Sequence, residues 1–213
     1  MHENEQSEFW SKDFGNEYSE RNNLDQEGLD KLYIDYFGIS RTELNREFIS
    51  NFDKSMKILE VGCNTGMQLL NLKTLGFGNL SGIDLSKAGL KTAKKNLPEA
   101  NLIEASALDI PFKDGYFDLV FTSGVLIHIH PENVGKAVDE IYKLSKKYIW
   151  GYEYFSEKCE EIEYRGHKNR LWKNNFMKIF LERHPDLKII REKKLKYKSS
   201  GNVDHMFLLK KGD

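Results

Sequence analysis

From Lys57 onward, short runs of β-branched and aliphatic residues alternate with amphipathic stretches, and this alternation confines the chain to βαβ units around a mainly parallel sheet. Strands are expected at Lys57 to Val61, Leu80 to Asp84, Leu102 to Ala105, Phe117 to Thr122 and Tyr148 to Tyr154. Helices are expected at Met67 to Leu75, Lys87 to Asn96 and Glu132 to Ser145, with a last one near Asn174 to Arg183. Two extended segments, Leu187 to Tyr197 and Val203 to Leu209, have no helix between them and are expected to close the sheet as a hairpin. The alternating Lys194, Lys196 and Lys198 read as the solvent face of an edge strand.

Before the first strand, Phe9, Trp10, Phe14 and Tyr18, then Leu29, Leu32, Tyr33, Tyr36 and Phe37, recur at helical spacing. Residues 1–56 are therefore expected to form a helical cap across the sheet edge or over its ligand. One domain over 1–213 is expected, with the cap, a cofactor-binding core at 57–150 and an acceptor-side insertion with closing strands at 151–213. No proline- or serine-rich linker argues for a boundary.

Composition excludes several classes. With 33 acidic and 32 basic side chains and 39% hydrophobic residues, the chain is neither a disordered polyelectrolyte nor a nucleic-acid wrapper. No apolar run reaches the length of about 18 residues that a span needs, and the N-terminus shows no export signal. Cys63 and Cys159 are too few for a disulfide framework, so a reducing cytoplasm is expected. The neutral total hides an asymmetry: residues 1–140 sum to −9 and residues 141–213 to +8.

The segment from Ile58 to Gly66 runs strand, glycine turn, helix, the crevice of an open α/β sheet. Gly62 lets the backbone approach a ligand, and Gly66 permits a close helix start. A third glycine of the nicotinamide fingerprint is missing, and no Gly-Lys-Ser/Thr phosphate loop follows. Instead Glu60 places an acid beside the glycines, suited to a positively charged ligand. Asp84 ends the second strand 22 residues beyond Gly62, where a carboxylate accepts from both hydroxyls of a ribose.

These residues resemble class I S-adenosylmethionine-dependent methyltransferases, and Ser106 to Phe112 followed by Phe117-Asp118-Leu119-Val120 is similar to that family's adenine-reading segment and fourth strand. The resemblance implies a Rossmann-like α/β fold: a seven-stranded, mostly parallel sheet with a C-terminal antiparallel hairpin, helices on both faces and an N-terminal helical cap. It implies S-adenosyl-L-methionine as cofactor, S-adenosyl-L-homocysteine as product, and a cofactor site of Tyr18, Arg21, Glu60, Gly62, Asn64, Thr65, Gly66, Asp84, Leu85, Ser106, Ala107, Leu108, Ser123 and Val125. Ser106 stands where the family commonly has an aspartate, which passes the adenine contact to the Ala107 backbone. Tyr18 and Arg21 are assigned to the methionine carboxylate by the same likeness.

Three further segments resemble the pseudaminic acid biosynthesis-associated methylases: Phe9 to Asn22, Gly124 to Pro131, and Glu163 to Trp172. This narrower resemblance implies a sugar or nucleotide-sugar acceptor in a surface-glycan pathway. Position supplies the acceptor side independently, because ligands lie beyond the carboxyl ends of the strands. His128, just past the fourth strand, is the candidate general base, with Glu153 and Tyr154 beside it at the end of the fifth. Tyr164, Arg165, His167 and Arg170 are candidate acceptor-binding residues, the arginines suiting a phosphate or carboxylate. On this reading the acidic half holds a cationic sulfonium and the basic tail an anionic acceptor.

No metal is expected, since His128 and His130 have no third ligand at suitable spacing, and Cys63 reads as a small filler in the turn. The chain is expected to act as a monomer or homodimer, without nucleic acid or membrane. Alternatives are another small-molecule or nucleic-acid methyltransferase, a non-catalytic cofactor-binding partner protein and a nicotinamide-dependent sugar oxidoreductase.

Overall fold

The computed structural model describes residues 8–21 and 24–212, the side chains of residues 13, 16, 20 and 21 excepted. Helices α1 (Asp13–Arg21), α2 (Gln26–Phe37) and α3 (Arg41–Ile49) precede a sheet built from β1 (Ile58–Val61), β2 (Leu80–Asp84), β3 (Asn101–Glu104), β4 (Phe117–Ser123), β5 (Ser145–Tyr154), β8 (Lys188–Lys196) and β9 (Val203–Lys210). Its order is β3-β2-β1-β4-β5-β9-β8. The first five strands pair in parallel, and β9 runs antiparallel to both β5 and β8. This is the Rossmann-like order with a closing hairpin that the sequence predicts.

Alternation along the strands buries both faces. Ile58, Leu119, Phe121, Trp150, Met206 and Leu208 point into one core with residues of α2, α3 and α4 (Met67–Thr74). Leu59, Val120, Ile149, Phe207 and Leu209 point into the other, against α6 (Pro131–Leu144) and α7 (Phe176–Arg183). Strands covered on both sides read as continuous apolar runs, which is why β1 and β4 were legible without their partners. Edge strand β8 presents Lys194 and Lys196 to solvent, the arrangement that keeps an unpaired edge from recruiting other strands.

Beyond shifts of a residue or two at element ends, two features differ from the expectation. Strand β5 starts at Ser145, immediately after α6, because Ser145 leaves helical geometry at ψ 128° and pairs with Phe117 ahead of a register shift. A two-stranded ribbon, β6 (Glu160–Glu161) with β7 (Trp172–Lys173), brackets the 162–171 loop. With two residues per strand it offers no periodicity to detect.

The crossover order places the carboxyl ends of β1, β2 and β4 side by side, with chain reversals on opposite faces, so a crevice opens there. The cap covers it. Helix α5 (Lys87–Asn96) starts under this cap: its N-cap Ser86 accepts from Gly89 N at 3.0 Å and faces Ser19 Oγ of α1 at 3.1 Å. Among the described residues, no helix is long and apolar enough to cross a membrane.

Candidate functional site

A cavity of about 370 Å³ fills the crevice. One part of its wall comes from the ends of β1 and β2 and the loop after β3: Glu60, Gly62, Asn64, Asp84, Leu85 and Ser106 to Leu108. The other comes from the segment after β4, the end of β5 and the cap, including Ser123, Val125, His128, Tyr152, Trp10, Leu32 and Tyr33. Thr65 and Tyr18 also line it, whereas Gly66 lies behind the wall as the helix N-cap, at φ +78°.

The glycine turn is fixed by contacts that reach across the sheet. Gly62 sits at φ +75°, and a Cβ there would fall 2.4 Å from Val125 Cγ2. Only glycine meets both conditions. The backbone N–H groups of Gly62 and Cys63 donate to Ile83 O at 2.8 and 2.9 Å, tying the turn to β2. Cys63 packs its Sγ toward Gly82 and stays a free, buried thiol. Asn64 holds the left-handed φ +43°, donates its N–H to Asp84 Oδ2 at 2.9 Å and its Nδ2–H to Ser19 Oγ at 3.0 Å. Thus α1, the turn and β2 form one unit.

Asp84 accepts from Ser86 N at 2.7 Å and Asn64 N at 2.9 Å, one bond to each oxygen. Both oxygens keep lone pairs for a ligand. Burial raises its pKa, opposed by those backbone donors. Glu60 is 2% exposed, and burial pushes its carboxyl well above the usual range, with Arg41 pulling the other way. Three acceptor atoms of the wall, Glu60 Oε2, Asn64 Oδ1 and Gln68 Oε1, are buried and without a partner among the described residues. Grouped orphan acceptors mark a place for a ligand rich in donors. Ser106 Oγ accepts from Leu108 N at 3.1 Å, which turns the side chain to its own loop.

His128 ends a single 3-10 turn, Leu126–His128, directly after β4. Its Nδ1 lies 2.8 Å from Arg170 O. A carbonyl only accepts, so Nδ1 carries the proton and Nε2 the lone pair. Burial lowers the pKa to about 4, keeping the ring neutral. Its face packs on Trp10, at 4.5 Å between centroids, and on Tyr164 at 5.2 Å.

The remaining candidates sit elsewhere. Glu153 lies behind the wall, 1% exposed, and accepts from Val125 N at 3.2 Å and Ile127 N at 3.4 Å. It clamps the turn that carries His128, and burial raises its pKa to about 7. Tyr154 turns away, its hydroxyl accepting from Asn202 Nδ2 at 3.0 Å. Arg165 and His167 are exposed, on a turn where Tyr164 bridges His167. Arg170 lies with its guanidinium 4.6 Å over the Phe9 ring. None of Tyr164, Arg165, His167 or Arg170 lines the cavity, although the Arg170 carbonyl and the Tyr164 ring hold His128. Among the described residues, no lysine or arginine contributes to the wall, and the Arg21 side chain lies outside them.

Several wall residues escape a local reading. Tyr33 and Tyr152 line the cavity, but their hydroxyls are engaged behind it. Arg41, fully buried, donates from Nη1 to the Tyr33 hydroxyl at 2.7 Å and lies 4.3 Å from the Tyr152 ring. Tyr152 donates to the Asp204 carboxylate. These partners span α2, α3, β5 and β9, and no sequence spacing connects them. Among the described residues, no group of three or more His, Cys, Asp or Glu could hold a metal ion.

Residues 59–148 match a methyltransferase domain family. Over 90 residues the chain is 32% identical to an uncharacterized methyltransferase of Synechocystis, covering 42% of each chain. The chain thus spans less than half the length of that relative. The fold is shared with two solved structures of low identity. One, described as the [4+2]-cyclase SpnF, has a TM-score of 0.68 and 13% identity, covering 89% of this chain and 83% of the other. The second, a 1,6-didemethyltoxoflavin-N1-methyltransferase of Burkholderia thailandensis with bound 1,6-didemethyltoxoflavin and S-adenosylhomocysteine, has a TM-score of 0.67 and 12% identity, covering 98% of this chain and 87% of the other.

Proposed function

We propose that the chain is an S-adenosylmethionine-dependent methyltransferase that transfers the methyl group to an oxygen or nitrogen of a small acceptor. The observation that carries this reading is the set of orphaned acceptors, Glu60 Oε2, Asn64 Oδ1 and Gln68 Oε1, beside the half-buried Asp84. A nucleoside with an ammonium and a sulfonium supplies donors and positive charge to such a wall, and a pyrophosphate does not. The matched methyltransferase domain covers the same residues. A nicotinamide-dependent oxidoreductase finds no support in this arrangement.

S-Adenosylmethionine supplies, when bound, a methyl carbon already activated on sulfur. Asp84 would hold the ribose, Glu60 the methionine ammonium, and Leu85 with the Ala107 backbone the adenine; Tyr18 closes the site from the cap. The residues after β4 align the acceptor with the methyl carbon and exclude water, and no covalent enzyme intermediate is required. His128 takes the acceptor's proton at Nε2, with its tautomer set by the Arg170 carbonyl. Glu153 positions the turn beneath it.

The surface-glycan acceptor expected from the narrower resemblance has no counterpart in the cavity wall: residues 163–172 reach His128 through Arg170 O and Tyr164 but line no part of the cavity. The fold does not fix the reaction class, since the neighbour described as a cyclase shares it. The test is incubation with isotopically methyl-labelled cofactor and a metabolite extract. Labelled small molecules in the mass spectrum are expected from the wild-type chain and are lost with His128→Ala. A non-catalytic partner protein would bind cofactor and label nothing.

A further inference from the structure

The acceptor end of the cavity differs in chemistry from the cofactor end. Tyr33 and Tyr152 are polar by name, yet Arg41 and Asp204 engage their hydroxyls behind the wall. What reaches the cavity is aromatic ring. Leu24, Leu29 and Leu32 extend this apolar wall. No basic side chain among the described residues joins it: the Arg41 guanidinium stands behind the Tyr33 and Tyr152 rings, and the ionisable carboxyls that line the cavity are Glu60 and Asp84. An anionic group entering here would lose water without a cationic side chain in the wall to replace it.

Besides the Ser123 hydroxyl at the end of β4, two polar side-chain atoms belong to this end. Trp10 Nε1–H is buried without a partner among the described residues, and the Trp10 ring lies 4.5 Å from that of His128. Beside it, His128 Nε2 carries a lone pair. One is a donor and the other an acceptor. A hydroxyl satisfies both: it donates to Nε2, accepts from Nε1–H with one lone pair and keeps the second for attack. A neutral amine has one lone pair, so accepting from Trp10 would consume the electrons needed for reaction.

Resting on the methyltransferase reading, we propose that the enzyme O-methylates an uncharged, predominantly apolar or aromatic hydroxyl compound, whose oxygen is bracketed by Trp10 Nε1–H and His128 Nε2. In the step, the acceptor oxygen bonds to the methyl carbon as the carbon–sulfur bond breaks and its electron pair goes to sulfur. The hydroxyl proton passes to His128 Nε2, and the resulting imidazolium releases it to water. Arg165 and Arg170 take no part in binding the portion of the acceptor that enters the cavity.

The experiment is calorimetric titration of the full chain. S-Adenosylhomocysteine is titrated first; if it does not bind, the methyltransferase reading itself fails. The loaded protein is then titrated with naphthol, with its anionic counterpart naphthoate, and with UDP-N-acetylglucosamine. Naphthol is expected to bind at least tenfold more tightly than either anion. Trp10→Phe keeps a ring but removes the donor, and is expected to weaken naphthol roughly three- to tenfold while leaving S-adenosylhomocysteine affinity unchanged. Leu32→Lys, at a half-buried wall position, is expected to shift preference toward naphthoate. With cofactor product bound, absence of naphthol binding, a preference for either anion in the wild-type chain, or indifference of naphthol to Trp10→Phe each overturns the proposal.

Discussion

On the proposed reading Asp84 holds the cofactor and His128 takes the proton, so their substitutions should separate cleanly. Asp84→Asn keeps the shape but removes the charge from a group that both Ser86 N and Asn64 N hold in place. Calorimetry should find S-adenosylhomocysteine binding weakened about ten- to a hundredfold, the range for hydrogen bonds to a charged group. His128→Ala should leave that affinity within about twofold and lower turnover a hundredfold or more. Because burial places the His128 pKa near 4, the base is neutral throughout the physiological range. Turnover should therefore lose its acid limb only as pH falls through about 4; an acid limb near 6.5, the ordinary histidine value, would show that another group is the base. Gly62, Asp84 and their spacing were legible because each acts through its own backbone position. Trp10 and Arg41 were not, because the Trp10–His128 and Arg41–Tyr152 contacts join residues more than a hundred positions apart in sequence.

Among the elements, the turn after β4 is the part whose design the sequence hid. Glu153, at the end of β5, reads as a strand-end acid near the acceptor, and its real partners are the backbone N–H groups of Val125 and Ile127. A carboxyl that serves backbone donors leaves no side-chain pattern to find. It also titrates unusually: its folded pKa is raised from 4.5 to about 7 by burial. A raised acid pKa gives stability that is complete below the unfolded value and is lost as pH rises through the folded one. Relative to wild type, Glu153→Gln should therefore gain about 3 kcal/mol of stability between pH 4.5 and pH 8, measured by urea denaturation at each pH. A difference that stays constant over this window would mean that Glu153 is ionised throughout. In the same loop region, Gly62→Ala forces a methyl toward Val125 at a positive φ. It should abolish cofactor binding and cost about 1–3 kcal/mol of stability.

The whole molecule follows the order expected from strand and helix alternation, down to the closing hairpin. Long apolar strands and amphipathic helices are determined locally, so the sheet was readable; the β6–β7 ribbon, set only by long-range pairing, was not. The charge asymmetry takes a different meaning in three dimensions. The acidic half does contain the crevice with Glu60 and Asp84, but Arg165 and Arg170 of the basic tail lie outside the cavity wall. Charge summed along a chain does not say which side chains face a site. Paired truncation of Arg165 and Arg170 to alanine should accordingly change naphthol affinity of the loaded protein less than threefold, since Arg170 holds His128 through its backbone carbonyl.

Whether this cavity is built for S-adenosylmethionine is tested most directly by calorimetric titration of S-adenosylhomocysteine against wild type and Asp84→Asn, with NAD as the comparison ligand. One site per chain for S-adenosylhomocysteine, weakened at least tenfold by the substitution, with no binding of NAD, is the expected result. Undiminished binding after Asp84→Asn, or binding of NAD in place of S-adenosylhomocysteine, would contradict it.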